Sequence, residues 1–153
     1  MRPGVRLGVD VGKARVGIAV CDREGLLATP VATLRRESAD ERAFRVLVEE
    51  HGVTEIVIGL PLSLNGGDTA STTDARDFAK AVAGWIGVPV RLVDERLSTV
   101  SAQRALHAAG RRTKGSRPVI DQVAAVIILQ NALDLERSAG HPPGTTVDPD
   151  PEG

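Results

Sequence analysis

Three apolar, β-branched stretches open the chain: Val5 to Asp10, Val16 to Cys21 and Leu26 to Leu34, separated only by short runs of glycine and charge. A parallel pair needs a long crossover, so connections this short dictate an antiparallel meander. The rest of the chain must be built on to that ribbon. Ser38, three residues before Glu41, has the spacing of a capping box. The stripe Phe44, Leu47, Val48 then predicts an amphipathic helix that stops at Gly52. Glu55 to Leu60 reads as a fourth strand. The loop Asn65-Gly66-Gly67-Asp68 leads into a helix with the face Ala75, Phe78, Ala79, Val82, Trp85 and Ile86, ended by Gly87 and Pro89. Val90 to Val93 makes a fifth strand. Ser98 can cap a helix reaching Ala109, and a last, unusually apolar helix should begin near Pro118 and run through Leu135.

The order β-β-β-α-β-α-β-α-α calls for an α/β fold with a mixed five-stranded sheet, an antiparallel meander followed by parallel strands, and helices on both faces. Aromatic residues make up only 2% of the 153 residues, so Val, Leu, Ile and Ala must fill the core. One domain over 1–138 is expected. The Pro-, Gly- and Asp-rich residues 139–153 cannot bury enough apolar area to offset ordering entropy and are expected to be disordered. No apolar run approaches the roughly 20 residues a bilayer requires, and Cys21 is the single cysteine, so a reducing cytosol is the expected setting and no membrane the expected partner. The net charge of −1 gives no global signal for nucleic acid. Arg104, Arg111, Arg112, Lys114 and Arg117 nevertheless cluster, and a local basic patch can hide inside a neutral total.

Ligand sites in such sheets lie outside the carboxyl ends of strands, and acids stand there. Asp10 ends the first strand within Gly8-Val9-Asp10-Val11-Gly12, where it is either a projecting functional carboxylate or part of turn chemistry. Asp94 and Glu95 end the fifth strand; one of them faces the sheet edge, or both simply complement a helix dipole and pair with Arg96. Asp121 sits near the start of an otherwise apolar helix. Ala124 and Ala125 would let that helix approach the sheet closely and bring Asp121 toward Asp10; the alternative is a helix-start acid exposed to water. Three converging carboxylates would repel one another unless cations neutralised them. All-oxygen ligation suits Mg²⁺ or Mn²⁺, and two such ions support phosphodiester hydrolysis. Arg15 and Arg96 are the candidates for holding phosphates, with Arg104 and Arg112 in the basic cluster.

The segments Gly-Val-Asp-Val-Gly-Lys-Ala-Arg-Val-Gly-Ile-Ala (8–19), Gly59-Leu60-Pro61, Asp94-Glu95-Arg96-Leu97-Ser98-Thr99 and Asp121-Gln122-Val123-Ala124-Ala125 with Ile128-Leu129-Gln130, in that order, resemble the YqgF/RuvX family. The resemblance spans about residues 5 to 135. It implies the ribonuclease H-like fold, kinship with the Holliday-junction resolvase RuvC, and a nuclease that trims the 5′ end of precursor 16S ribosomal RNA. It implies that the family's acids fall on Asp10, Glu95 and Asp121, and that the loop holding Asn65 lies near substrate. Two other readings stay open: a branched-DNA resolvase, which needs a dimer to cut symmetrically, and a nucleic-acid or ribosome-assembly module without turnover. Monomer and homodimer are both compatible with the RNA reading. Gly-x-Asp-x-Gly also opens the nucleotide-binding lobes of sugar kinases and actin-like ATPases, which need two lobes where this chain has room for one. The histidines His51, His107 and His141 show no metal-ligand spacing, and Ser63, Ser71 and Ser98 suit loop or cap roles.

Overall fold

The computed structural model describes residues 1–97 and 117–149, the side chains of 117–121 excepted. Strands β1 (Val5–Val11), β2 (Arg15–Cys21) and β3 (Ala28–Arg35) form the expected meander. Helix α1 (Glu41–His51), strand β4 (Val53–Leu60), helix α2 (Ala70–Trp85), strand β5 (Val90–Asp94), helix α3 (Arg117–Ala139) and strand β6 (Thr145–Thr146) follow. The sheet order is β3-β2-β1-β4-β5-β6. β1 is antiparallel to β2 and parallel to β4, and β5 continues parallel to β4. The expected helix from Ser98 to Ala109 lies outside the described residues.

The alternation of side chains along β1 separates two cores. Leu7 and Val9 point to the layer of α1 and α2, together with Ile18, Ile56, Ile58 and Leu92. Phe44, Phe78 and Trp85 gather there, with ring centroids 5.8 to 6.2 Å apart. Every aromatic ring of the chain is thus spent on one side of the sheet. Gly8 and Asp10 point to the other side, where α3 lays Ala124, Ala125, Ile128, Leu129, Ala132 and Leu133 on Ala19, Cys21, Val57 and Val93. The small residues allow the close approach that the sequence suggests. A Cβ on Gly8 would lie 2.6 Å from Leu129 Cβ and 3.0 Å from the Ala125 carbonyl oxygen.

A buried ion cluster sets the direction of α3. Near the helix end, Glu136 accepts from Arg2 Nε at 2.9 Å and lies 3.4 Å from Arg6 Nη2, at the amino end of β1. Glu55 on β4 joins through Arg2 at 3.0 Å and Arg91 at 3.0 Å. Arg6, Glu55 and Glu136 are all buried, and charges taken out of water persist only when mutually paired, as these are. The arginines hold the Glu136 carboxyl at about 2, hydrogen bonding from Arg2 being the largest cause. α3 therefore runs antiparallel to β1, and its first turns lie at the carboxyl end of that strand.

Two expectations need correction. The cap of α1 is Asp40, whose carboxylate accepts from the Ala43 amide at 3.0 Å; Ser38 is instead held in a 3₁₀ turn, Arg36–Ser38. The sheet has six strands, because part of the tail expected to be disordered pairs with β5. Pairing to an edge strand satisfies backbone groups without needing apolar area. The Val147 amide donates a hydrogen bond to the Val90 carbonyl at 2.8 Å, and its side chain packs on the core. Gly144, with φ 77°, permits the approach, since a Cβ there would meet the Leu92 carbonyl.

Candidate active site

Asp10 lies one residue beyond the last β1–β4 pair, Val9 with Ile58, and opposite Gly17 of β2. It is 2% exposed. Register places its neighbour on β4 at Gly59, and the same alternation that sends Ile58 to the α1/α2 core sends Gly59 to the face of Asp10. Gly59 in turn pairs with Val93, so β5 ends one residue further on at Asp94, and Glu95 begins a 3₁₀ turn. Glu95 folds back over the sheet and is 3% exposed. Its Oε2 lies 2.9 Å from the position a Cβ would take on Gly59. Two buried carboxylates therefore flank a glycine at the carboxyl ends of β1, β4 and β5, and the missing side chain is what admits the second of them.

Of the pair Asp94 and Glu95, it is Glu95 that turns inward. Asp94 stays at the rim and grips Arg96, with Oδ2 2.7 Å from Nη2, which holds the Asp94 carboxyl below the usual carboxylate range. Position 121 belongs to α3, one turn before Ala125, at the helix end that overlies the carboxyl end of β1. Its side chain lies outside the described residues. Among the described residues no group of three His, Cys, Asp or Glu side chains could hold a metal ion. Asp10 and Glu95 supply hard oxygen donors in a confined, water-poor setting, and this donor chemistry fits Mg²⁺ or Mn²⁺ rather than a softer metal.

The proposed substrate residues are distributed unevenly. Arg15 begins β2 on the face of Asp10, two residues from Gly17. Arg96 is committed to Asp94 and reaches the Leu64 carbonyl at 3.4 Å, so it braces the loop after β4. Asn65 is spent on that same loop: its Oδ1 accepts from the Gly67 amide at 3.0 Å and from the Ser63 hydroxyl. The turn presents Leu64 at 96% exposure. Behind it, the Thr69–Thr72 capping box starts α2, and the Thr72 hydroxyl donates to the Pro61 carbonyl. Arg104 and Arg112 lie outside the described residues.

Two residues to which the sequence reading assigns no role also shape the site. Gly59 is one, and only the register of β4 against β1 and β5 reveals what it makes room for. Arg36 is the other: its guanidinium bonds Asp74 of α2 at 2.7 and 2.8 Å and the Gly12 carbonyl at 2.8 Å, and stacks 5.0 Å from the Phe78 centroid. It ties the hairpin after Asp10 to α2. Its partner is 38 residues away, beyond any local signal.

Residues 4–135 match the family model described as "RuvX: Holliday junction resolvase". The chain belongs to the RuvX family. Among its relatives, a protein named "Putative pre-16S rRNA nuclease" from Leifsonia xyli subsp. xyli is 56% identical over 151 residues, covering 97% of each chain. A relative of the same name from Clavibacter michiganensis subsp. michiganensis is 59% identical over 150 residues, 96% of this chain and 93% of that one. The fold is that of RuvC. The structure "T. thermophilus RuvC in complex with Holliday junction substrate" matches with a TM-score of 0.53 at 18% identity, covering 93% of this chain and 99% of that one. No helix among the described residues is long and apolar enough to cross a membrane.

Proposed function

We propose that this RuvX-family chain is a divalent-metal-dependent nuclease that hydrolyses RNA phosphodiesters in 5′-end processing of precursor 16S ribosomal RNA, with Asp10, Glu95 and Asp121 as its catalytic and metal-binding carboxylates. The observation that carries this reading is the convergence of Asp10 and Glu95, both buried, around Gly59 at the strand ends beneath the start of α3. Hard carboxylate oxygens gathered at one buried point suit a divalent cation. The names of the relatives supply the substrate class.

Asp10 and Glu95 would hold Mg²⁺ or Mn²⁺ from two sides, and Asp121 would close the set from α3. Bound there, such ions supply Lewis acidity and charge neutralisation for in-line displacement at phosphorus. The chain's own residues orient and exclude. Gly59 lets Glu95 reach inward, Ile128 packs over that glycine beside Glu95, and Arg36 holds the hairpin that carries Lys13 and Arg15. Arg15 offers a bidentate contact for a phosphate, with Arg104 and Arg112 as further cations on the segment after β5.

Cleavage of a labelled precursor-rRNA fragment, compared with a four-way DNA junction in Mg²⁺ and Mn²⁺, tests the proposal. Asp10→Asn should abolish RNA cleavage while leaving the circular-dichroism melt close to wild type. Wild-type cleavage by that variant removes the reading. A second reading, resolution of four-way DNA, is favoured by the family description and by the fold shared with RuvC. It requires cutting of the junction in preference to RNA, and a dimer.

A further inference from the structure

On the sheet face that carries Asp10, two arginines stand directly opposite one another. Arg15 of β2 is paired in register with Arg35 of β3. Alternation fixes the face: Gly17 pairs with Asp10 on one side and Thr33 on the other, and Arg15–Arg35 is the next pair on that same side. Val16 and Leu34, between them, point to the opposite core. Directly opposed side chains in an antiparallel pair have Cβ atoms about 5 Å apart, and like charges there destabilise the sheet.

Nothing among the described residues removes the conflict. Arg35 is 83% exposed, and its one ion-pair partner among the described residues is Glu37 at 3.8 Å, itself 72% exposed, a contact too loose and wet to neutralise it. Arg15 has no ion pair among the described residues. The adjacent Arg36 is itself a cation, spent on Asp74, and brings no negative charge to the pair. A like-charge pair that no described residue neutralises, at the rim of an acidic centre, is the complement of an anion.

We infer that Arg15 and Arg35 together clamp a backbone phosphate flanking the one placed at Asp10 and Glu95, an inference that rests on the nuclease reading above. Arg35 is two strand spacings across and two residues along from Asp10, about 12 Å between backbones. That separation suits a neighbouring phosphate better than the one being attacked. With an anion between them the two guanidinium groups attract rather than repel, each offering a fork of donors. The substrate strand then crosses the carboxyl ends of the strands toward the β3 edge, recognised there by its backbone and not by its bases.

Fluorescence anisotropy with a fluorescein-labelled RNA carrying a single-stranded 5′ extension tests this on the full chain in an Asp10→Asn background, where binding is read without turnover. Arg35→Ala and Arg15→Ala should each lower the slope of log K against log salt by about 0.7–0.9, the signature of one lost phosphate contact, whatever the extension's sequence. Arg35→Lys should recover the slope. In the Asp10-containing protein, Arg35→Ala should lower kcat/KM with the loss carried by KM. Arg45→Ala, on α1 and paired with Glu41, should leave the slope unchanged. An unchanged slope for Arg35→Ala, or a loss carried by kcat alone, overturns the clamp. RNA that binds with this arginine-dependent slope yet is never cut by the Asp10-containing protein upholds the clamp and removes the hydrolytic reading instead.

Discussion

Replacing Gly59 with alanine tests the geometry of the site more sharply than deleting a carboxylate, because it removes no acid and only displaces one. The added methyl would sit 2.9 Å from Glu95 Oε2, 3.1 Å from Glu95 Cγ and 2.6 Å from Ile128 Cδ1. Ordinary contact is about 3.5 Å, so the carboxylate must retreat by about 0.6 Å and the isoleucine methyl by about 0.9 Å. Both are ends of flexible side chains, and the backbone need not move. Overpacking of this kind costs about 1–2 kcal/mol, or about 3–8 °C in melting temperature for a chain of this size. A catalytic group misplaced by a sizeable fraction of an ångström loses about 10–100-fold in rate, up to about 2.7 kcal/mol of transition-state stabilisation. Gly8→Ala provides the contrast, since its methyl would strike Leu129 Cβ and the Ala125 carbonyl, both fixed to the helix frame. It should cost about 3 kcal/mol of stability. Cleavage assays and thermal melts on the two purified variants separate the effects. Wild-type cleavage by Gly59→Ala would refute the claim that the Glu95 carboxylate acts from the place the glycine leaves open.

Three further outcomes are expected. The Glu136 carboxyl is held at about 2 against an ordinary 4.5, so its ion pairs contribute about 3 kcal/mol that is fully present above about pH 4.5 and lost as pH falls toward 2; Glu136→Gln should melt lower at neutral pH and show a flatter decline over that window. Arg36→Ala removes the Asp74 pair, the bond to the Gly12 carbonyl and the stack on Phe78, and a loss of about 1–2 kcal/mol with slower cleavage is expected; unchanged activity at reduced stability would confine Arg36 to a purely structural role. Truncation after Ala139 strips β6 and Val147 from β5, so hydrogen exchange at the amides of β5 should accelerate, and unchanged protection would show that the tail does not guard that edge.

What the sequence determined by itself is everything that repeats at short range. The meander follows from connections too short to cross over, and the faces of α1 and α2 follow from apolar spacing. The small residues at Ala124 and Ala125 announced a close helix contact. The acids at strand ends were legible because a carboxylate beside glycine at the end of an apolar run is locally conspicuous. Their rank was not: which of Asp94 and Glu95 turns inward depends on a space beside Gly59, and that space exists only once β1, β4 and β5 are in register. The opposition of Arg15 and Arg35, the grip of Arg36 on Asp74 and the return of the tail to β5 are likewise decided by tertiary structure. Each joins residues that are separated along the chain, and pairing between strands carries no signature in the residues of either strand alone.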